Sequence, residues 1–169
     1  MIKKRRTKSK TRLKVAVLVE KSGKLLLIRE RLHRDWPYRW NMVKGSFEPE
    51  KDRDFVSAAR RECSEEARAR VNITKLQNVL YLYRRETNKA FVQFNFVGKL
   101  VGSRFGVPSR SIQKKHSEDI VDVRLFNKSE LRAMKKSEFI GERAYFTIHE
   151  WLRGAPRHSL ESLKRIAKF

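Results

Sequence analysis

Lys44-Gly45-Ser46-Phe47-Glu48-Pro49 and, one short loop later, Ala58-Ala59-Arg60-Arg61-Glu62-Cys63-Ser64-Glu65-Glu66 decide how this chain is read. The first run is a glycine turn, and it feeds a helix that carries three glutamates. A helix turns about 100° per residue, so Glu62, Glu65 and Glu66 fall within an arc of roughly 100°. Val56, Ala59, Cys63 and Ala67 occupy the adjoining arc and are small enough to lie flat against a sheet. Converging carboxylates repel one another unless a cation sits between them. Hard divalent cations such as Mg²⁺ take oxygen ligands of this kind and are commonly shared with substrate phosphates. Arg61, four residues before Glu65, can pair with it and orient it. On its own an E-x-x-E-E run is most often a solvated helix face; the glycine turn and the arginine argue against that here.

The stretch resembles the Nudix box, G-x5-E-x7-R-E-U-x-E-E-x-G-U with U a bulky apolar residue. The residues that match are Gly45, Arg61, Glu62, Cys63 at the first U, Glu65 and Glu66. Trp40 to Glu48 also looks like the strand and turn that open the box, and residues 12 to 152 can be laid on the family pattern. Three departures stand out. Gly45 to Arg61 is two residues longer than the family spacing. The early box glutamate is missing: counted forward its place is Lys51, counted back it is Arg53, with Glu48, Glu50 and Asp52 nearby. The glycine after the glutamate pair is Arg68 and the last U is Ala69, so Ala67-Arg68-Ala69-Arg70 is expected to carry the helix about a turn further.

Charge is the unusual part of the composition. The 169 residues hold 41 Lys+Arg against 19 Asp+Glu, a net +22. Such an excess favours polyanions: RNA, DNA, a ribosome or an anionic membrane surface. Residues 1 to 14 carry eight basic side chains and no acid, a second basic cluster spans Arg104 to Lys115, and a third follows Leu152. The hydrophobic share of 40% fits a soluble globular domain, and no apolar run is long enough to span a membrane. The basic start lacks the apolar stretch of a secretory signal. The single cysteine, Cys63, reads as a small core residue and fits a reducing compartment. A cytoplasmic protein is expected; Lys3-Lys4-Arg5-Arg6 has the form of a nuclear localisation run for a eukaryotic source.

Along the chain, residues 1 to 11 read as a basic flexible arm. Leu13–Glu20 and Lys24–Arg29 form a hairpin about Ser22-Gly23. Glu30 to Tyr38 is a loop in which Trp36 and Tyr38 either stack on a nucleobase or cap one end of the sheet. Asp52 or Asp54 caps the glutamate helix. Val71–Leu76 leads into the strand Val79–Tyr83, and Ala90–Leu100 is a strand with both faces partly buried. Val101 to Lys115 reads as a basic loop, Glu118–Phe126 as a strand, Asn127 or Ser129 as the next cap, and Glu142–Leu152 as a helix. Residues 153 to 169 read as a basic tail or short helix.

The resemblance implies an α/β/α sandwich around a mixed sheet, and the periodicity agrees. It also implies hydrolysis of a nucleoside diphosphate linked to another moiety, in the presence of Mg²⁺ or Mn²⁺. Glu62 and Glu66 would be the main metal ligands, with Glu65 and the Gly45 carbonyl completing the shell. The general base would be a box glutamate or an acid before the last strand, Glu118 or Asp119; His116 reads as a surface histidine. Lys44, Trp36 and Tyr38 are the candidate substrate contacts. The charge keeps two other functions open: an enzyme acting on RNA 5′ ends, and a weakly catalytic or non-catalytic module on RNA or a ribosome.

Overall fold

Alternating apolar residues make Lys10–Lys21 (β1) the spine of the sheet, because both of its faces are covered. The computed structural model describes residues 10–163. β1 runs parallel to Lys89–Leu100 (β6), which pairs on its far side with the antiparallel Val71–Arg84 (β5). On its other edge β1 first meets Val43–Ser46 (β4), through Lys14 to Val17, and then Lys24–Glu30 (β2), from Val19 onward. β2 also pairs with Arg39–Asn41 (β3) and Ile120–Phe126 (β7). β3 and β4 are separated only by Met42, so the hairpin opens as a fork and this segment fills it.

Strand alternation sorts the core into two layers. Val15, Val17 and Val19 pack with Ala58, Ala59, Cys63 and Ala67 of Phe55–Ala67 (α1). Ala16 and Leu18 face the other way, towards Ile148, Trp151 and Leu152 of Glu142–Leu152 (α4). Each large side chain buried this way contributes about 1.5–3 kcal/mol. The layers form the expected α/β/α sandwich around a mixed sheet.

Three local readings change. Val71–Arg84 is one strand, carried past two register shifts at Ile73/Lys75 and Leu76/Asn78. Part of the 101–115 loop is a helix, Arg110–His116 (α2), because Ser109 caps it and Ser117 closes it in the left-handed conformation. α1 stops at Ala67 rather than running on, since Arg68 takes φ 51° and Ala69 N–H reaches back to Cys63 O at 3.0 Å. Burying Ala69 against the core holds that closure in place. Lys128–Ala133 (α3) begins with the capping box Asn127/Glu130. β1 already includes Lys10 and Thr11; residues 1–9 of the basic arm and 164–169 of the tail lie outside the described residues.

Candidate active site

Gly45 is where β4 and α1 touch. A Cβ added there would lie 1.9 Å from the Glu62 carboxyl carbon, so only glycine lets the helix carboxylate lie against the strand. Asp54 sets the start of the helix: its side chain accepts from Ser57 N–H at 2.7 Å while Ser57 Oγ accepts from Asp54 N–H at 2.9 Å.

Arg61 is the hub that fixes this turn to the helix. Its Nε and Nη2 grip both oxygens of Asp52 at 2.8 and 2.9 Å, and Nη2 also donates to Ser46 O at 2.9 Å. Its Nη1 donates to Glu62 at 2.8 Å and to Glu65 at 2.9 Å. The pairing read from the sequence, Arg61 with Glu65, is therefore one of three. Asp52, not Glu48 or Glu50, supplies the acid that grips Arg61; it also accepts from Glu48 N–H at 2.8 Å. Glu48 instead pairs with Lys51 at 2.6 Å.

Glu66 lies buried beneath β4 and accepts from Lys44 N–H at 2.8 Å. Lys44 Nζ turns to Glu30, at 2.6 Å, and Asn41 Nδ2 donates to the same Glu30 oxygen at 2.6 Å. Glu30 and Asn41 are contacts that the sequence did not disclose, because a buried acid at the end of an apolar strand looks like the first residue of a polar loop. Burial would by itself lower the Lys44 pKa, but Glu30 and Glu66 outweigh it and hold the ammonium charged.

Glu118 completes the centre from the loop before β7. One oxygen each from Glu62, Glu66 and Glu118 lies within 4.8 Å of the others. Glu118 Oε2 is buried and has no hydrogen-bond partner. Burial, then the charges of Glu62, Glu65 and Glu30, push the Glu118 pKa up to about 7. Burial likewise raises Glu62, and raises Glu66 well above the usual carboxylate range. Three oxygen donors that repel one another suit a hard divalent cation and lack the sulfur and nitrogen donors of a zinc centre.

The other expected residues are placed differently. Glu65 stands outside this trio, held by Arg61 and 3.5 Å from His116 Nδ1. His116 is thus beside the centre rather than on open surface. Asp119 is engaged elsewhere: it pairs with Arg31 and accepts from Tyr38 Oη at 2.8 Å. The Arg31 guanidinium lies over the Tyr38 ring, 4.7 Å from its centre. Trp36 is exposed beside His33 and lines a small hollow of about 210 Å³ with Leu32, Pro37, Arg39 and Ile140.

Comparison with known proteins identifies the family and the fold. Residues 10–147 match the sequence profile of the NUDIX domain. A NUDIX hydrolase from Nitrosomonas europaea superposes with a TM-score of 0.75 at 24% identity, covering 93% of this chain and 98% of that one. A MutT protein from Methanosarcina mazei Go1 gives 0.63 at 16% identity, over 88% and 96% of the two chains. The NUDIX domain of Shewanella oneidensis NrtR, complexed with ADP ribose, gives 0.62 at 13%, over 85% and 89%. Comparison with curated protein sequences gives no match.

Proposed function

This chain belongs to the NUDIX family of hydrolases, and from that premise we propose that it cleaves a pyrophosphate linkage in a nucleoside diphosphate derivative or at an RNA 5′ end, using Mg²⁺ or Mn²⁺. The observation that carries the proposal is the meeting of Glu62, Glu66 and Glu118 within 4.8 Å, with one Glu118 oxygen buried and unpartnered. Glu62 and Glu66 would hold the metal, with the Gly45 carbonyl beside them. When bound, the metal supplies charge neutralisation on the phosphates and a polarised water.

The chain's own groups supply the rest. Arg61 holds Glu62 and Glu65 in place and ties them to Asp52 and Ser46 O. Glu118, with a buried oxygen that no other group engages, is the proposed base for the attacking water. Lys44 and the aromatic pair Trp36 and Tyr38 are the proposed substrate contacts. A cytoplasmic setting fits the buried free thiol of Cys63.

The net charge of +22 favours a second reading, a weakly catalytic or non-catalytic module that binds RNA or a ribosome through its basic arm. A hydrolysis panel with Mg²⁺ separates the two: ADP-ribose, NADH, dinucleoside polyphosphates, oxidised deoxynucleoside triphosphates and 5′-capped RNA. Turnover that disappears on chelation is expected. Inertness across the panel, with tight RNA binding, would favour the second reading.

A further inference from the structure

The acid cluster has a cationic neighbour. Lys14 of β1 is the register partner of Ser46 on β4 and of Gln93 on β6, so the three side chains share one face of the sheet. Lys14 Nζ donates to Ser46 Oγ at 2.8 Å. Arg143, in the first turn of α4, donates through Nη1 to Gln93 Oε1 at 3.0 Å. Gln93 is itself buried and donates onward to Asn95 Oδ1 at 2.8 Å. The row is tied to the glutamate helix, since Ser46 O accepts from Arg61.

Neither Lys14 nor Arg143 is ion-paired with a carboxylate among the described residues. Burial lowers the pKa of both, and Lys44 and Arg143 add repulsion at Lys14. The acid whose charge reaches Lys14 is Glu62, a member of the cluster. Both side chains are half-buried, and among the described residues neither has a carboxylate partner. Such charges cost free energy until an anion joins them. Arg143 also lines an open groove of about 480 Å³ with Leu80, Tyr81 and Phe146.

We propose that Lys14 and Arg143, supported by Ser46 and Gln93, form a phosphate subsite beside the acid cluster and select substrates that carry a third phosphoryl group. The selection rests on the pyrophosphohydrolase reading above; the anion binding does not. A nucleoside triphosphate and a 5′-triphosphorylated oligonucleotide both present this chemistry, whereas ADP-ribose offers only two phosphates.

The first arm measures binding of inorganic tripolyphosphate to metal-free protein by calorimetry. Lys14→Met and Arg143→Met should each weaken it about tenfold or more, the loss of one charged hydrogen-bonding contact. Arg143→Lys should lose less than Arg143→Met. Lys24→Met, at an exposed position, controls for the overall charge. No binding by wild type, or equal losses for Lys14→Met and Lys24→Met, overturns the subsite. The second arm compares kcat/KM for GTP, a triphosphorylated dinucleotide and ADP-ribose. Lys14→Met should lower the triphosphate-to-ADP-ribose ratio about tenfold, through KM rather than kcat. An unchanged ratio in an active enzyme overturns the selection. Tripolyphosphate binding through Lys14 in a protein that hydrolyses nothing upholds the subsite and rejects the hydrolase reading. The dinucleotide and GTP arms show which source of the triphosphate is preferred.

Discussion

Arg61, Glu62, Glu65 and Glu66 keep the family spacing residue for residue, whereas the loop between Gly45 and Arg61 is two residues longer and delivers its acid at another count. The difference follows from geometry. On a helix, one inserted residue swings every later side chain by about 100°, so the carboxylates keep their aim only if none is inserted. A loop has no such register. Here, in a loop two residues longer than the family pattern, Asp52 grips Arg61 with both oxygens. The loop is defined here by a contact, and the helix by position.

The largest effect expected from this comparison is at a helix position. Glu66→Gln keeps the shape and the bond from Lys44 N–H but removes the charge. Hydrolysis should fall by about three orders of magnitude or more, since one ligand charge of the centre is lost. Because burial already disfavours the Glu66 carboxylate, the metal-free variant should melt no lower than wild type. Turnover close to wild type in a steady-state assay would mean that the helix carboxylates do not hold the metal.

The loop contact should be next in size. Asp52→Asn leaves Arg61 facing an uncharged amide in a nearly buried setting, where the Asp52 side chain is 2% exposed. Breaking such a pair costs about 3–5 kcal/mol of stability, measurable by urea unfolding. Asp52→Glu tests whether contact is what matters: it should recover most of the loss if the loop adjusts. Equal losses for Asn and Glu would show that the loop is as position-bound as the helix.

The pH response is smaller, and Glu118 shares its sign with Glu62 and Glu66, whose carboxyls burial also holds above the usual range. The folded pKa of Glu118, about 7, lies above that of an exposed glutamate, so between the two values the folded state binds more protons than the unfolded one. The contribution of Glu118 to stability is therefore present at low pH and lost as pH rises towards and through about 7. A cation needs the deprotonated carboxylate and reverses that loss. Adding Mg²⁺ should raise the melting temperature more at pH 8 than at pH 5.5, and Glu118→Gln should reduce the difference without removing it. A Mg²⁺ shift independent of pH in wild type would place Glu118 outside the centre.

How much of this was legible in the sequence follows the same division. The strands, the helix with its glutamates and α4 carry their periodicity openly, so the layered fold could be read in advance. Gly45 and the Arg61–Glu65 pair were visible because spacing alone determines them. Asp52 could only be one of three acids, because loop residues have no phase from which to choose. Glu30, Asn41 and Lys14 join the site through strand pairings distant in sequence, which no local pattern encodes. Asp119, as eligible as Glu118 on paper, was diverted by Arg31 and Tyr38, a choice made by packing across 88 and 81 residues.

The smallest effect belongs to the third departure, at the end of the helix. The family pattern has glycine after the glutamate pair, and this chain has Arg68. The backbone there has nevertheless kept the conformation that glycine favours: φ 51° and ψ 29°, with the cap N–H groups turned back to Cys63 O and Ser64 O. Arg68 is exposed, so its side chain makes no packing claim that would explain the choice. The strain of a side chain in the left-handed region is about 1–2 kcal/mol, partly offset because glycine loses more chain entropy on folding. Arg68→Gly should therefore stabilise the protein by about 0.5–1 kcal/mol, a rise of a few degrees in melting temperature. Hydrolysis should not change, because the backbone and the glutamates stay where they are. A destabilised variant would mean that the arginine itself, rather than the backbone turn, closes the helix, and that position as well as contact matters at this end.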